Sequence, residues 1–177
     1  RARTLRTVED AARLASDVDI DPRTAVVIGA GFIGLEMAEN LVAQGLDVTV
    51  VEATPQVLPP LDPELAILVA DELTAHGVHV ETGASVASIE ERTVTLADGR
   101  VLPADLVVGA IGVRPDVRLA SEAGIEIGPN GGIAVDAVNL TSDPDVYAVG
   151  DAVEKRDAIS QASSLIALAN VANRQGR

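Results

Sequence analysis

The 177-residue sequence contains no cysteine, which removes structural disulfides, thiolate zinc sites and thiol catalysis from within it. Aromatic residues make up 1% of the chain, so its core must be built from Val, Leu, Ile and Ala. Cations are scarce: 13 Lys and Arg against 27 Asp and Glu leave a net charge of −14. That balance disfavours nucleic acid or an acidic membrane surface as a partner. It also means that an anionic ligand must be held by local N–H groups and dipoles, against the field of the whole molecule. No apolar run approaches the ~20 residues that span a bilayer, and no signal-peptide pattern is present. A cytoplasmic protein with no membrane association is therefore the default expectation. His76 and His79 have no second ligand set near them in sequence, so no metal site is expected. A hydrophobic content of 47% argues for a folded chain, long enough for one well-buried domain and part of a second. The opening at Arg1 rather than Met, and the end at Arg177 inside a helix-like run, give the expectation of a segment of a longer protein.

What the sequence does contain is concentrated between Ala25 and Glu52. Ala25-Val26-Val27-Ile28 is a short β-branched apolar run of the kind buried on both faces of a parallel sheet. Gly29-Ala30-Gly31-Phe32-Ile33-Gly34 follows at once, then a helical pattern from Leu35 to Val42 that Gly45 ends. Val48 to Val51 supplies a second buried strand, and Glu52 closes it eighteen positions after Gly34. A lone G-x-G-x-x-G is weak evidence, but between a strand and a helix and followed by an acid at this distance it is a dinucleotide fingerprint. Gly29 permits the sharp turn, Gly31 the close approach of backbone to a pyrophosphate, and Gly34 tight packing of the helix. The helix start offers unpaired N–H groups and the positive end of a dipole. Glu52 is expected to accept hydrogen bonds from both adenosine ribose hydroxyls. It would repel a 2′-phosphate, and neither Ala53 nor Thr54 supplies a cation, so NAD(H) is expected in preference to NADP(H).

Around this unit the chain punctuates itself. Thr7-Val8-Glu9-Asp10 resembles a capping box opening a helix to about Ala15. Pro55 to Pro63 reads as a loop, with Asp62 and Pro63 starting a helix to His76 whose apolar face is Leu65, Leu68, Val69 and Leu73. Val78 and Val80 mark a third strand. Val86 to Ile89, Thr93 to Leu96 and Arg100 to Leu102 read as three antiparallel strands, with Asp98-Gly99 turning the last two. Leu106 to Val108 is another buried strand, Asp116 to Ala123 a short helix, and Ile133 to Val135 and Val146 to Val149 further strands. The order predicts an α/β, Rossmann-like domain with a parallel sheet and an inserted antiparallel β-meander.

Three separated pieces carry a family resemblance. They are the glycine fingerprint with Glu36 and Glu52, the segment Ala110-Ile111-Gly112-Val113-Arg114-Pro115, and the stretch from Thr141 to Asp151 that ends Val146-Tyr147-Ala148-Val149-Gly150-Asp151. Together they resemble the FAD-dependent pyridine nucleotide–disulfide oxidoreductases, nearest the coenzyme A disulfide reductase and NADH oxidase branch. The resemblance implies residues 1–22 as a linker with a short helix, 23–136 as the NAD(H)-binding domain, and 137–177 as part of an FAD-binding domain. It implies cofactor contacts from Gly29, Gly31, Phe32, Ile33 and Gly34 at the pyrophosphate and nicotinamide side. It further implies Glu36 at the nicotinamide, Val86 at the adenine, Gly112 beside the passing nicotinamide ring, and Asp151 on the ribityl chain of FAD. Read without the family, Glu36 is a solvated carboxylate, and Asp151 is as readily a helix cap as a ligand residue.

The family's first FAD fingerprint, its redox cysteine and its dimerisation domain have no counterpart here. Ala167-Leu168-Ala169-Asn170-Val171-Ala172 also departs from the family's Pro-Leu-Ala-Gly-Pro-Ala. The implied function is to position NADH for hydride transfer to FAD in a homodimeric parent enzyme, with a disulfide such as CoA disulfide or oxygen reduced afterwards. The missing FAD domain would be the partner, and the segment alone would be inactive. Ala158 to Val171 is expected to be disordered or in an intermolecular contact. A stand-alone NAD-binding module and a piece of a ferredoxin- or rubredoxin-reductase-type flavoprotein are the alternatives. A short-chain dehydrogenase is not, because Tyr147 is followed four positions on by Asp151 rather than Lys.

Overall fold

The computed structural model describes residues 2–20 and 22–177. It divides into two compact units, one ending at Gly112 and the other Val113–Arg177. The first unit runs β1 (Ala2–Thr4), α1 (Val8–Val18), β2 (Thr24–Ile28), α2 (Phe32–Ala43), β3 (Asp47–Val51), α3 (Pro63–Ala75), β4 (Val78–Glu81), β5 (Val86–Ile89), β6 (Thr93–Leu96), β7 (Val101–Pro103) and β8 (Leu106–Gly109). The second holds α4 (Arg118–Glu122), β9 (Ile133–Ala134), β10 (Val153–Arg156), β11 (Ser163–Leu165) and α5 (Ala169–Gln175).

In the first unit β1, β8, β2, β3 and β4 form one sheet in that order, every pairing parallel. β5, β6 and β7 form a separate antiparallel sheet. The alternation of side chains explains why the central strands read as unbroken apolar runs. Ala25, Val27, Val48, Val50, Leu106 and Val108 pack with Met37, Ala38 and Leu41 of α2 and Ala66 of α3. Their neighbours Val26, Val51 and Val107 face the other way and pack with Val94 and Leu96 of the meander. Each strand is thus buried twice, once by helices and once by the small sheet. The α/β Rossmann-like architecture with its inserted meander is as the pattern predicts.

Several expectations need correction. β1, within the expected linker, is an edge strand in register with Val107, Val108 and Gly109. The capping box is present, the Thr7 hydroxyl accepting from Asp10 N–H and the Asp10 carboxylate accepting from Thr7 N–H. Its helix runs on to Val18, where Val18 adds an apolar contact beyond Ala15 on the side of Leu14. On α3 the packed residues are Ala66, Val69, Ala70 and Leu73, whereas Leu65 and Leu68 are exposed. Small residues bring that helix close to the sheet, and the 3.6-residue period then turns the two bulkier leucines outward.

In the second unit Val146 to Val149 forms no strand and contributes only a bridge between Tyr147 and Leu140. The strand found after it is β10, which pairs parallel to β9 and antiparallel to β11. The stretch expected to be disordered or docked elsewhere contains β11 and the start of α5, although Ile159, Ile166 and Leu168 are exposed. Among the described residues no helix is long and apolar enough to cross a membrane.

Candidate dinucleotide site

The turn between β2 and α2 lies at the carboxyl edge of the parallel sheet, where open α/β folds bind ligands. Its three glycines answer to different neighbours. Gly29 has φ +102°, and a Cβ there would come within 2.4 Å of the Ala110 carbonyl oxygen where β8 leaves the sheet. Gly34 could not carry a Cβ either, since it would sit 1.9 Å from the Gly29 carbonyl oxygen. Those two are required by the fold. Gly31 is not: its backbone, φ −78° and ψ −176°, suits any residue, and a Cβ there meets nothing within 4 Å. Space beside Gly31 is kept clear by the chain without any internal need for it.

The backbone groups of the turn can be counted one by one. Gly29 N–H donates to the Val51 carbonyl at 2.8 Å, Ala30 N–H to Glu52 Oε2 at 2.8 Å, and Leu58 N–H to the Ala30 carbonyl at 2.8 Å. The Gly31 carbonyl accepts from Leu35 N–H and so begins the helix. Among the described residues Gly31 N–H has no acceptor, and the N–H groups of the first helical turn have none within the helix. The free donors are gathered beside the open space at Gly31, at the positive end of the α2 dipole. Phe32 and Ile33 of the same turn leave their side chains exposed.

Glu52 is 8% exposed. Its main chain continues the β3–β4 ladder, with Glu52 N–H donating to the Glu81 carbonyl and the Glu52 carbonyl accepting from Ala84 N–H. Its carboxylate takes Ala30 N–H on Oε2 and Thr54 N–H on Oε1, each at 2.8 Å. Burial works against its charge and is the largest single influence. The N–H groups of Ala30, Thr54 and Ala53 with the Thr54 hydroxyl together outweigh it, and hold the carboxyl below its ordinary 4.5. A carboxylate has about four lone-pair positions, and the bonds from Ala30 and Thr54 N–H occupy two of them. The acid is therefore a structural tie between glycine turn and loop as well as a candidate ribose acceptor. Sequence spacing suggests only the second role.

The remaining expected positions are more scattered. Glu36 is exposed one turn into α2 and faces a groove toward α1 that it lines with Ile33, Met37 and Asn40. Val86 is half-buried and packs against the second core cluster, which uses part of its surface. Gly112 has φ +98° and open space around its α-carbon, past the end of β8. Asp151 belongs to the second unit, is exposed, and follows Gly150, whose N–H donates to Gln175 Oε1 at 2.8 Å. The residues that sequence reading passes over are Ala30, Thr54 and Leu58. The only signal for the last is its place in the proline-rich loop.

Comparison with known proteins places this geometry. The pattern of the pyridine nucleotide-disulphide oxidoreductases matches residues 1–176. An NADH oxidase of Methanocaldococcus jannaschii is 40% identical over 98% of the chain. Two solved structures superpose with TM-scores of 0.95 over 99% of it: the reduced CoADR-RHD of Bacillus anthracis, 44% identical, and an NAD-dependent persulfide reductase from A. fulgidus, 40% identical. The chain spans 40% of that NADH oxidase's length and 32% and 33% of the two solved chains. With its glycine cradle, its buried acid and a family pattern that matches from end to end, the chain belongs to the pyridine nucleotide-disulphide oxidoreductases.

Proposed function

We propose that this chain is the NAD(H)-holding part of a larger FAD-dependent oxidoreductase. Residues 23–136 would form the nucleotide domain, with 1–22 leading into it and 137–177 belonging to the FAD-binding half. The observation that carries the reading is the clear space at Gly31, flanked by N–H groups without acceptors. A diphosphate fits there on chemical grounds. It is an anion with many acceptor oxygens, and it needs donors within hydrogen-bond reach, where a net charge of −14 spread over the molecule is largely screened by salt.

In this reading Gly31 N–H and the first turn of α2 hold the pyrophosphate. Gly29 and Gly34 keep the turn tight beneath it, and the Glu52 carboxylate accepts from the ribose hydroxyls. Phe32 and Ile33 supply apolar surface on the nicotinamide side, with Glu36 at the carboxamide and Gly112 leaving room for the ring. Val86 borders the adenine, and Asp151 binds the flavin's ribityl chain. The bound nicotinamide supplies a hydride, for which FAD of the parent enzyme is the acceptor. The protein's part is to orient the ring and to hold the phosphates still. A disulfide, a persulfide or oxygen is the terminal acceptor class that the relatives' names support. A homodimeric parent in the cytoplasm, where NADH turns over, belongs to the same reading.

Titration of the 177-residue protein with NADH and NADPH, by fluorescence or calorimetry, tests it directly. NADH is expected to bind, NADPH to bind at least about tenfold more weakly because a 2′-phosphate meets the Glu52 carboxylate without a compensating cation. No steady turnover of a disulfide or dye is expected without added flavoprotein. Equal affinity for the two nucleotides would remove Glu52 from the ribose, and absence of NADH binding would remove the cradle.

A further inference from the structure

Leu58 has φ +45°, one of three non-glycine residues with positive φ among those described. A leucine pays for that conformation through contact of its Cβ with the following carbonyl, so the loop must hold it there. The loop is well tied. Thr54 Oγ donates to the Gln56 carbonyl, Gln56 Nε2 to the Leu61 carbonyl, Gly83 N–H to the Thr54 carbonyl, and Val57 is 1% exposed in the main core. This bracing presents one bond from the loop to the glycine turn: Leu58 N–H to the Ala30 carbonyl at 2.8 Å.

That carbonyl belongs to the Ala30–Gly31 peptide. The bond is trans, as are all peptide bonds among the described residues, and in a trans planar peptide the N–H points opposite to the C=O. Fixing the Ala30 oxygen on Leu58 therefore fixes Gly31 N–H in the opposite direction, where among the described residues it meets no acceptor. The preceding peptide is locked by Glu52 through Ala30 N–H. The following peptide is held by Leu35 N–H on the Gly31 carbonyl, so Leu58 supplies the one hydrogen bond made directly by the Ala30–Gly31 plane among the described residues.

We propose that Leu58 is a positioning residue for the pyrophosphate: its strained backbone aims Gly31 N–H at the anion although its own side chain touches no ligand. The inference rests on the dinucleotide reading above and adds to it a residue of the proline-rich loop. Its signature is selective. Preorganising one phosphate-facing donor strengthens ligands that carry a diphosphate and leaves those that do not unchanged.

The test uses the 177-residue protein and three probes: NADH, ADP and adenosine. Replacing Leu58 by leucic acid turns its amide into an ester and deletes the single N–H. ADP and NADH affinity should fall about tenfold, with adenosine affinity unchanged. Leu58→Gly keeps the N–H and accepts positive φ, and should bind ADP as the unaltered protein does. Leu58→Val keeps the N–H but resists that φ, and should weaken ADP severalfold. The amide resonance of Gly31 in ¹⁵N-labelled protein should shift with the ester and valine variants and stay in place with glycine. Equal ADP affinity across all variants, or equal losses for ADP and adenosine, would overturn the role of Leu58. Failure of the unaltered protein to bind either NADH or ADP would instead overturn the dinucleotide reading beneath it.

Discussion

Two buried glutamates, Glu52 in the first unit and Glu154 in the second, close glycine turns in the same way. Each accepts a backbone N–H from a residue 22 positions earlier, Ala30 for one and Gly132 for the other. Glu154 also takes Asn130 N–H and Asn130 Nδ2 and is 4% exposed. They part company at the glycines. A Cβ on Gly128 would lie 2.5 Å from the Glu154 carboxyl carbon, and one on Gly132 2.5 Å from a Leu165 methyl and 2.9 Å from the Glu154 Cβ. A Cβ on Gly31 would meet nothing. At Gly128 and Gly132 the second unit fills its own turn, and its one open position, Gly131, needs glycine for its φ of +86°. The first closes in Gly29 and Gly34 but leaves Gly31 open, although its φ of −78° suits any residue. A glycine turn with a buried acid is therefore not by itself a ligand site; the deciding feature is whether the space over it is already occupied.

The sharpest way to break this contrast is to put the same methyl on both turns. Gly31→Ala should weaken NADH by about 2–3 kcal/mol, because it overpacks the space meant for the ligand. Its unfolding free energy should stay within about 0.5 kcal/mol, since the lost preference for glycine at the helix cap and the stiffer unfolded chain oppose each other. Gly132→Ala should do the reverse, costing about 1–3 kcal/mol of stability through its contact with Leu165 and the Glu154 backbone, with NADH affinity unchanged. Calorimetric titration and urea unfolding of both variants check the pair. A Gly31→Ala protein that binds NADH normally would make the two turns equivalent.

Next in size is removal of the acids. Glu154→Ala leaves the N–H groups of Asn130 and Gly132 without their acceptor and should cost about 2 kcal/mol of stability, with no change in NADH binding. Glu52→Ala should cost a similar amount, because Ala30 and Thr54 N–H groups lose theirs, and should also weaken NADH by about 1–3 kcal/mol. A Glu52→Ala variant with intact stability and weakened binding would mean that the acid serves the ribose alone. Unfolding and binding measured on the same preparations separate these outcomes.

The smallest expected effect is one of pH. The Glu52 carboxyl is held below its ordinary 4.5, so the unfolded chain takes up its proton first as pH falls. The stability from its ionised form is then complete above about pH 4.5 and is lost as the pH drops through the lower folded value. The difference in urea stability between the unaltered protein and Glu52→Gln should be constant near neutral pH and shrink in that acidic range. A difference that does not change with pH would mean that the charge is not what the two N–H groups hold.

Much of this was legible without coordinates because it is local. The β2–α2 turn, the capping box at Thr7 and the turn at Asp98-Gly99 each depend on residues within a few positions of one another. The alternation of central strands between two cores also follows from the period of a strand, once runs such as Ala25 to Ile28 are recognised as apolar throughout. Glu52 was found by its spacing, but its ties to Ala30 and Thr54 were not, since spacing does not say which way a carboxylate turns. The exposed leucines of α3 were misplaced for a related reason. A helical pattern dominated by apolar residues does not choose its own buried face, and here Ala66 and Ala70 chose it by allowing close approach.

The second unit is harder to read because its strands are only two to four residues long and lack an unbroken apolar run. β10 carries Glu-Lys-Arg after Val153, an unpromising strand until β9 and β11 flank it. The amino-acid order alone determined the glycine fingerprint, the acid at its distance and the parallel α/β plan, since these are set by backbone sterics and by side-chain periodicity. Only the folded chain decided which glycine of the fingerprint is free of neighbours, which carbonyl Leu58 reaches and which N–H groups each buried glutamate holds. Those are distances between parts of the chain far apart in sequence, and they arise only when the strands have been stacked and the loops closed over them.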